Sequence, residues 1–413
     1  MFFVGATRSD MTNLRTKITL VLFILFAVGG AWFAGVSTYD FFLHLDGQVH
    51  SITCSYVPGT SERDELGTSG CYAVMMSPYS SVLRDSTWGG IPIALPGLAV
   101  FIYMTFIGLE HLILGRDKKR GDTLYLIAAS LLPLITSLVY YIISVTKVGE
   151  VCKMCVGIYI ASIGLFLSAL VQFFLAKPET EPGPQHLRNQ LLRYGIWFAE
   201  GLLFVMIPII MYLQLKPEYQ ERNCGELVKP EDRSSIMLPA VGQGTPAIEV
   251  MDPLCPSCLV FRNHFNTSEL SKKISVKTVL FPLDSECNWM LKQPVHHGAC
   301  MVSRAILCAK DPQPVIDWAL ENNVEIRLVA KEQGQDALKA MILKQFGEVS
   351  QCIDTAKTKQ KLNLSLRWIM ANSLPIMTPQ LYVNNRRLCD EDMDLGLEYG
   401  LGRLLEAGAK GGK

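Results

Sequence analysis

Val-Cys-Lys-Met-Cys-Val-Gly-Ile-Tyr, residues 151–159, runs directly into an apolar stretch that ends near Ala176. From Met154 onward that stretch carries no charge, and it is long enough to cross a hydrocarbon core of about 30 Å. It therefore sets Cys152 and Cys155 at the end of a membrane helix, with the i, i+3 spacing placing both on one face and within bridging reach. A helix already holds such residues together, so a bond between them adds little as a staple. Their position suits reaction with a small lipid-soluble oxidant arriving from the bilayer. Two buried thiols serving as apolar filler is the plainer alternative.

Outward from this helix, Ile18–Tyr39, Ser86–Leu109 and Thr123–Thr146 are equally free of charge. Tyr194–Leu215, which contains Glu200 and Pro208, is a fifth candidate span. With the N-terminus cytoplasmic, the inner segments carry Arg8, Arg15, Lys17, Arg116, Lys118, Lys119, Arg120, Lys177, Arg188 and Arg193. The short outer segments then carry only Arg63, Arg84, Lys147 and Lys153, the asymmetry expected of this orientation. Everything after about residue 216 is thereby predicted to lie outside the cytoplasm. All twelve cysteines fall outside or at the outer ends of helices, which suits disulfide chemistry in an oxidising space. Lys+Arg and Asp+Glu are equal at 38, so no charge excess points to nucleic acid. Charge is sparse at 18% and mean hydropathy is +0.25, with the apolar residues concentrated before residue 216.

The first outer loop runs from Asp40 to Asp85 and contains Cys54 and Cys71; its end, Tyr72–Leu83, reads as a short helix across the membrane face. Lys177–His186 is a Pro/Gly-rich connection, and 216–245 reads as a linker carrying Pro217, Pro230, Pro239, Gly242 and Gly244. Beyond it come a strand at Ala247–Met251, a break at Asp252-Pro253, and Cys255-Pro-Ser-Cys258 opening a helix to about Leu270. Ile274–Leu283 reads as a second strand, 288–355 as mostly helical, and Leu381–Val383 as a strand after Thr378-Pro379. Asn384-Asn385 looks like a hairpin turn and Asp394–Ala407 like a closing helix. That order is the order of a thioredoxin-type α/β domain with a helical insertion.

A helix N-terminus presents unpaired N–H groups and a positive field, which favour a thiolate at Cys255. Cys258, one turn on, is placed to release a mixed disulfide, and Pro256 preorganises the turn. Half of a structural zinc site is the competing reading, and no second C-x-x-C completes it, so no metal is expected. Cys54 and Cys71 either staple the loop or carry electrons between the other pairs by direct sulfur-on-sulfur exchange. Pro379 is either an ordinary edge-strand proline or the cis-proline that faces a thioredoxin-type disulfide. His264, His296 and His297 are far in sequence from any ligand-like cluster and read as surface or helix residues.

Three segments together carry a more specific resemblance: Cys71-Tyr-Ala-Val-Met-Met-Ser77-Pro-Tyr-Ser-Ser-Val, Ile91-Pro-Ile-Ala-Leu-Pro-Gly97 and Cys152-Lys-Met-Cys155-Val-Gly-Ile-Tyr159. The first 176 residues resemble the vitamin K epoxide reductase family, and the whole chain is similar to its bacterial members fused to a thioredoxin-like domain. The resemblance implies a multi-pass α-helical membrane protein, with a four-helix redox bundle (1–176), a fifth linking helix with its flanking linkers (177–245) and a thioredoxin-like domain (246–413). It implies a ubiquinone- or menaquinone-type quinone met by Cys155, with Cys152 as its partner and Cys54 and Cys71 as the loop shuttle. Ser77 is implied near the reacting quinone oxygen and Tyr159 beside the ring; a helix cap and packing are their plainer roles. The sixteen residues between Cys54 and Cys71, and the long Arg84–Gly90 turn, depart from the family pattern.

The expected activity is quinone-dependent oxidation of protein thiols in exported proteins. Electrons would pass from Cys255/Cys258 through Cys54/Cys71 to Cys152/Cys155 and the membrane quinone pool, in a bacterial inner membrane with the thioredoxin-like domain periplasmic. The same relay run backwards as a quinol-driven reductase or isomerase, a small-molecule epoxide or quinone reductase, and a membrane-anchored binding module with purely structural disulfides are the alternatives. Six cysteines remain, with fifteen complete pairings. The resemblance makes Cys287–Cys300 the first choice; Cys308–Cys352 would clamp the helical insertion, leaving Cys224 for Cys389 as a tether of the linker.

Overall fold

The computed structural model describes residues 8–45, 70–116, 119–178, 184–219 and 222–411. Cys54, Arg63 and the rest of loop 46–69, Lys118, and the middle of the 177–186 connection lie outside the described residues. The chain divides into a helical unit, residues 1–83 with 91–218, and an α/β unit, residues 84–90 with 219–413.

In the helical unit the order is α1 (Arg8–Leu45), α2 (Gly70–Met76), β1 (Ser81–Val82), β2 (Ile91–Pro92), α3 (Ala94–Ile113), α4 (Arg120–Ile143), α5 (Lys153–Leu175) and α6 (Pro184–Leu215). Five of these helices, α1 and α3 to α6, are long and apolar enough to cross a membrane, which makes this a multi-pass membrane protein. Their outward faces are rich in exposed Leu, Ile and Val, while Leu20, Phe23, Ile107, Leu126 and Leu165 are buried between them. Small residues set the close approach of α1 and α5. A Cβ at Gly157 would stand 2.7 Å from the Phe33 ring, and one at Gly164 would run into Phe26. α6 is fixed to α3 through polar groups: the Tyr103 hydroxyl donates to the Trp197 carbonyl at 2.5 Å, and the Trp197 indole donates to Glu110 at 3.1 Å.

The α/β unit contains β3 (Val241–Gly242), β4 (Thr245–Met251), α7 (Pro256–Thr267), β5 (Ile274–Leu280), α8 (Ala299–Cys308), α9 (Gln313–Glu321), α10 (Asn323–Glu332), α11 (Gln335–Gln345), α12 (Ala356–Ala371), β6 (Gln380–Val383), β7 (Arg386–Arg387) and α13 (Leu397–Gly411). Its sheet has the order β3-β5-β4-β6-β7, with β4 parallel to β5 and antiparallel to β6. The period of two sorts the strand residues between its faces. Val250, Val279 and Tyr382 pack on Leu366 and Ile369 of α12, whereas Ala247, Leu381 and Val383 pack on Phe261 of α7 and Leu397 and Leu401 of α13. Each fully buried aliphatic side chain of this kind contributes about 1.5–3 kcal/mol. Asn384 and Asn385 turn β6 into β7 with φ of 49° and 68°, the left-handed pair that asparagine tolerates in a two-residue hairpin.

Five expectations need correction. The helix read at Tyr72–Leu83 is α2, which ends at Met76, and Ser81–Val82 is a strand. The second span begins at Ala94, not Ser86, because Ile91 and Pro92 pair with Ser81 and Val82 in a short hairpin. Residues 84–90 between those strands belong to the α/β unit, with Trp88 donating to Asp392 at 2.8 Å. The 216–245 stretch is not a free linker and the α/β unit starts at Tyr219, not 246. Leu227, Ile236 and Leu238 are buried, and the Leu227 and Leu238 amides donate to Asn385 and Thr278 carbonyls. β5 stops at Leu280, ahead of Pro282, which has no N–H to give. His264 is on a helix, α7, as one of its two expected places, and is buried against Glu398 at 2.9 Å and Arg84 at 3.2 Å; His296 is on neither surface nor helix but buried against Asp252 at 2.8 Å.

Candidate functional site

In the helical unit, the chain turns through Gly149 into Cys152, whose extended backbone forms the N-cap of α5. Cys155 follows one turn in and is half-buried, and neither thiol is bonded. Cys71 sits on α2, is engaged in a disulfide, and its Sγ lies 3.1 Å from the Cys152 Sγ. A free thiol sulfur in contact with a disulfide sulfur is the arrangement that precedes thiol–disulfide exchange. Cys54 lies outside the described residues.

Cys71, Cys152 and Cys155 border a cavity of about 440 Å³ that is also lined by Ser77 and Tyr159. Its walls are apolar, contributed by residues such as Ala34, Phe41, Phe101 and Pro133. The polar part of the lining is mostly hydroxyls, among them that of Ser77, which donates to the Val74 carbonyl at 2.7 Å, those of Tyr140 and Tyr159, and the Ser137–Ser162 pair at 2.9 Å. A mostly apolar cleft with a few converging polar groups fits a lipophilic ring bearing carbonyl oxygens. Among the described residues, Asp40, near the C-terminal end of α1, is the one carboxylate in the lining. Sequence reading missed Asp40, Tyr140 and the serine pair; only Asp40, an acid ending a charge-free run, left a visible signal.

In the α/β unit, Cys255 is the N-cap of α7 and Pro256 its first residue. Cys255 is nearly buried and Cys258 wholly so, and both are free. The Thr378–Pro379 peptide is cis, and the Thr378 carbonyl lies 3.5 Å from the Cys255 Sγ. The Cys258 thiol, donating to Cys255, is the largest cause holding the Cys255 thiol down at about 6; the charge of His296 adds to it, against burial and the Asp252 carboxylate. Burial pushes the Cys258 thiol well up. The two sulfurs are thus pushed in opposite directions, Cys255 toward the thiolate and Cys258 toward the thiol. Asp252, which the sequence offers only as a strand break, and His296, expected on the surface or a helix, stand beside them. Asp252 was visible as a strand break three residues before Cys255, but its partner lies 44 residues away.

The other six cysteines are bonded as Cys224–Cys389, Cys287–Cys300 and Cys308–Cys352, with Cα–Cα separations of 5.4, 5.9 and 5.8 Å. Cys224–Cys389 closes a sequence separation of 165, a loop long enough for its closure to remove much of the unfolded chain's freedom.

Residues 21–170 match the model of the vitamin K epoxide reductase family. That stretch holds most of α1, all of α2 to α4 and most of α5, with both cysteine-bearing helices at the cavity, so the chain carries a domain of that family. No curated protein and no solved structure matches the chain. With this domain and its cysteine pairs, the protein is a membrane thiol-redox protein.

Proposed function

We propose that the chain is a quinone-dependent protein thiol oxidase. The single observation behind this reading is the contact of Cys152 with disulfide-bonded Cys71 beside an apolar cavity that Cys155 also lines. A quinone bound there would supply a two-electron acceptor drawn from the lipid phase. Ser77 and Tyr159 would hold its polar edge and orient it to Cys155, while the apolar walls exclude water. The α/β unit is read as thioredoxin-like, with Pro379 flanking the site where an extended client lies.

A client thiolate attacks the Cys255–Cys258 disulfide at Cys255, and the client's second thiolate displaces Cys255 to close the client disulfide. Two electrons then reside on the Cys255/Cys258 dithiol. Cys255 passes them by the same exchange to the Cys54–Cys71 disulfide. Cys71 in turn, as a thiolate, reduces the Cys152–Cys155 disulfide at Cys152, releasing Cys155 toward the cavity. The low Cys255 thiol favours this direction, because stabilising the reduced form makes a disulfide a stronger oxidant. Orientation is proposed as N-terminus inside, with the α/β unit on the oxidising side of a bacterial inner membrane.

The test uses purified full-length protein, a reduced dithiol peptide and a short-chain ubiquinone or menaquinone. One peptide disulfide should form for each quinone reduced. Peptide oxidation that proceeds equally without quinone, or no coupling at all, sinks the proposal.

A further inference from the structure

The dipeptide between Cys255 and Cys258 is Pro-Ser, so the motif itself carries no charge. Charge reaches it from a buried pair instead. Asp252 has no exposed surface, and its carboxylate accepts three N–H groups: Leu254 at 2.7 Å, Leu283 at 2.6 Å and His296 Nδ1 at 2.8 Å. Its own carbonyl accepts the Cys255 amide at 3.2 Å, so Asp252 is tied directly to the residue that caps α7. His296 is held in turn by its amide, which donates to the Leu283 carbonyl at 2.9 Å. The charged and titratable groups facing His296 are Asp252 after β4, Cys255 at the cap of α7 and Arg327 on α10. Arg327 is bound through its guanidinium to the Asn323 carbonyl and side chain. The nearby Asp284 is occupied by the amides of Gly298, Cys300 and Glu286.

We propose that Asp252 and His296 form a compensated charge pair that sets the reactivity of Cys255, with His296 the positioning residue that masks the Asp252 carboxylate from the two sulfurs. The proposal rests on reading Cys255/Cys258 as an exchanging dithiol and on nothing about the quinone. In the reduced state, a Cys255 thiolate and the Asp252 carboxylate are two negative charges in one buried site. The Cys258 thiol, donating to Cys255, is the larger support of that thiolate, and the cation at His296 adds to it by offsetting the Asp252 charge. Oxidation of the Cys255 thiolate and Cys258 thiol by a partner disulfide forms the S–S bond, transfers two electrons and releases the Cys258 proton. It leaves the Asp252–His296 pair neutral as a whole. His296 carries its proton more readily than an ordinary histidine: burial opposes the proton, but the hydrogen bond and charge of Asp252 outweigh it.

The test is the pH profile of Cys255 alkylation in the reduced full-length protein, resolved by peptide mass spectrometry. Wild type should show its midpoint at about 6. In H296Q, which keeps a donor for Asp252 but not a charge, the midpoint should rise by about one pH unit, a roughly fivefold slower reaction near the wild-type midpoint. H296K, which restores a cation, should bring it back. D252N, which removes the negative charge, should move the midpoint the opposite way, downward. A purely structural role would shift both single variants in one direction. An unchanged midpoint in H296Q, or a rise in D252N, overturns the proposal. If H296Q fails to fold, the sign of the D252N shift alone decides it. Because alkylation needs no quinone, failure of the oxidase reading would leave this profile intact.

Discussion

The two free dithiols among the described residues share one local geometry and differ in everything around it. Each is a Cys-x-x-Cys whose first cysteine caps a helix and whose second lies one turn in. In the helical unit that pair faces apolar side chains, with Asp40 the one carboxylate among the described residues of the cavity. In the α/β unit it is flanked by the Asp252–His296 pair, and Arg327 adds its charge. The helix N-terminus therefore supplies only the common part of the chemistry. On the proposed function, what would distinguish an exchange site for proteins from a site for a lipophilic acceptor is the surrounding shell, packed in one case and charged in the other. Volume changes should damage the first site, and charge changes the second.

The largest effect expected is at Cys155. C155S should reduce quinone-coupled turnover to background while Cys255/Cys258 still exchanges with a peptide. With no second thiol to resolve it, Cys152 should accumulate bonded to Cys71, its neighbour at 3.1 Å. Non-reducing peptide mapping reads that bond directly. Full turnover in C155S, or trapping of Cys152 on any other cysteine, would break the assignment of the bundle dithiol as the terminal pair.

Legibility in the sequence followed the same division. Charge-free runs declared four of the five spans, and a run broken only by Glu200 the fifth, because a lipid-facing helix must be apolar over nearly its whole length. They misplaced the start of the second, since Trp88, Gly89 and Gly90 carry no formal charge that would end such a run. The cavity's serine pair was not legible: Ser137 and Ser162 meet only through the packing of α4 on α5. The Asp252–His296 and His264–Glu398 pairs were hidden for the same reason, each joining segments far apart in the chain. Spacing left the pairing of six cysteines open, and backbone proximity decides it: the three bonded pairs have Cα atoms within 6 Å.

A packing test of the bundle comes next in size. G157A adds one methyl where the ring of Phe33 leaves 2.7 Å, without touching any charge or cysteine. Overpacking of this kind costs about 1–3 kcal/mol. It should lower the unfolding midpoint of the helical unit and, by pushing α1 from α5, weaken quinone saturation. The Cys255 alkylation profile should not move. A G157A protein with wild-type stability would mean that the bundle relaxes more readily than its packing suggests.

The smallest effect expected concerns charge in the α/β unit away from the dithiol. Asp392 accepts the Trp88 indole N–H at 2.8 Å, and Tyr219 stands 3.5 Å from its other oxygen. Burial pushes its carboxyl up to about 6, although the hydrogen bond from Trp88 opposes that shift. A folded-state value raised above the ordinary 3.8 means that the protonated form is the one favoured by folding. Its contribution to stability is fully present below pH 3.8 and is lost as pH rises through about 6. D392N cannot ionise, yet its amide oxygen still accepts from Trp88. Relative to wild type, D392N should therefore melt higher at pH 7.5, by roughly 2–4 °C for each kcal/mol recovered. That advantage should fall to about a third at pH 4.5, since the loss begins as soon as pH rises above 3.8. Comparing the two proteins at each pH cancels the titration of Glu398, whose carboxyl is shifted the other way: burial raises it, but the hydrogen bond and charge of His264 and the charge of Arg84 hold it down. Scanning calorimetry of the full chain in detergent provides the readout. An advantage of equal size at both pH values would show that the D392N side chain gains by packing, not by the loss of a buried charge, and the contrast between a packed bundle and a charge-tuned α/β unit would then stop at the dithiol.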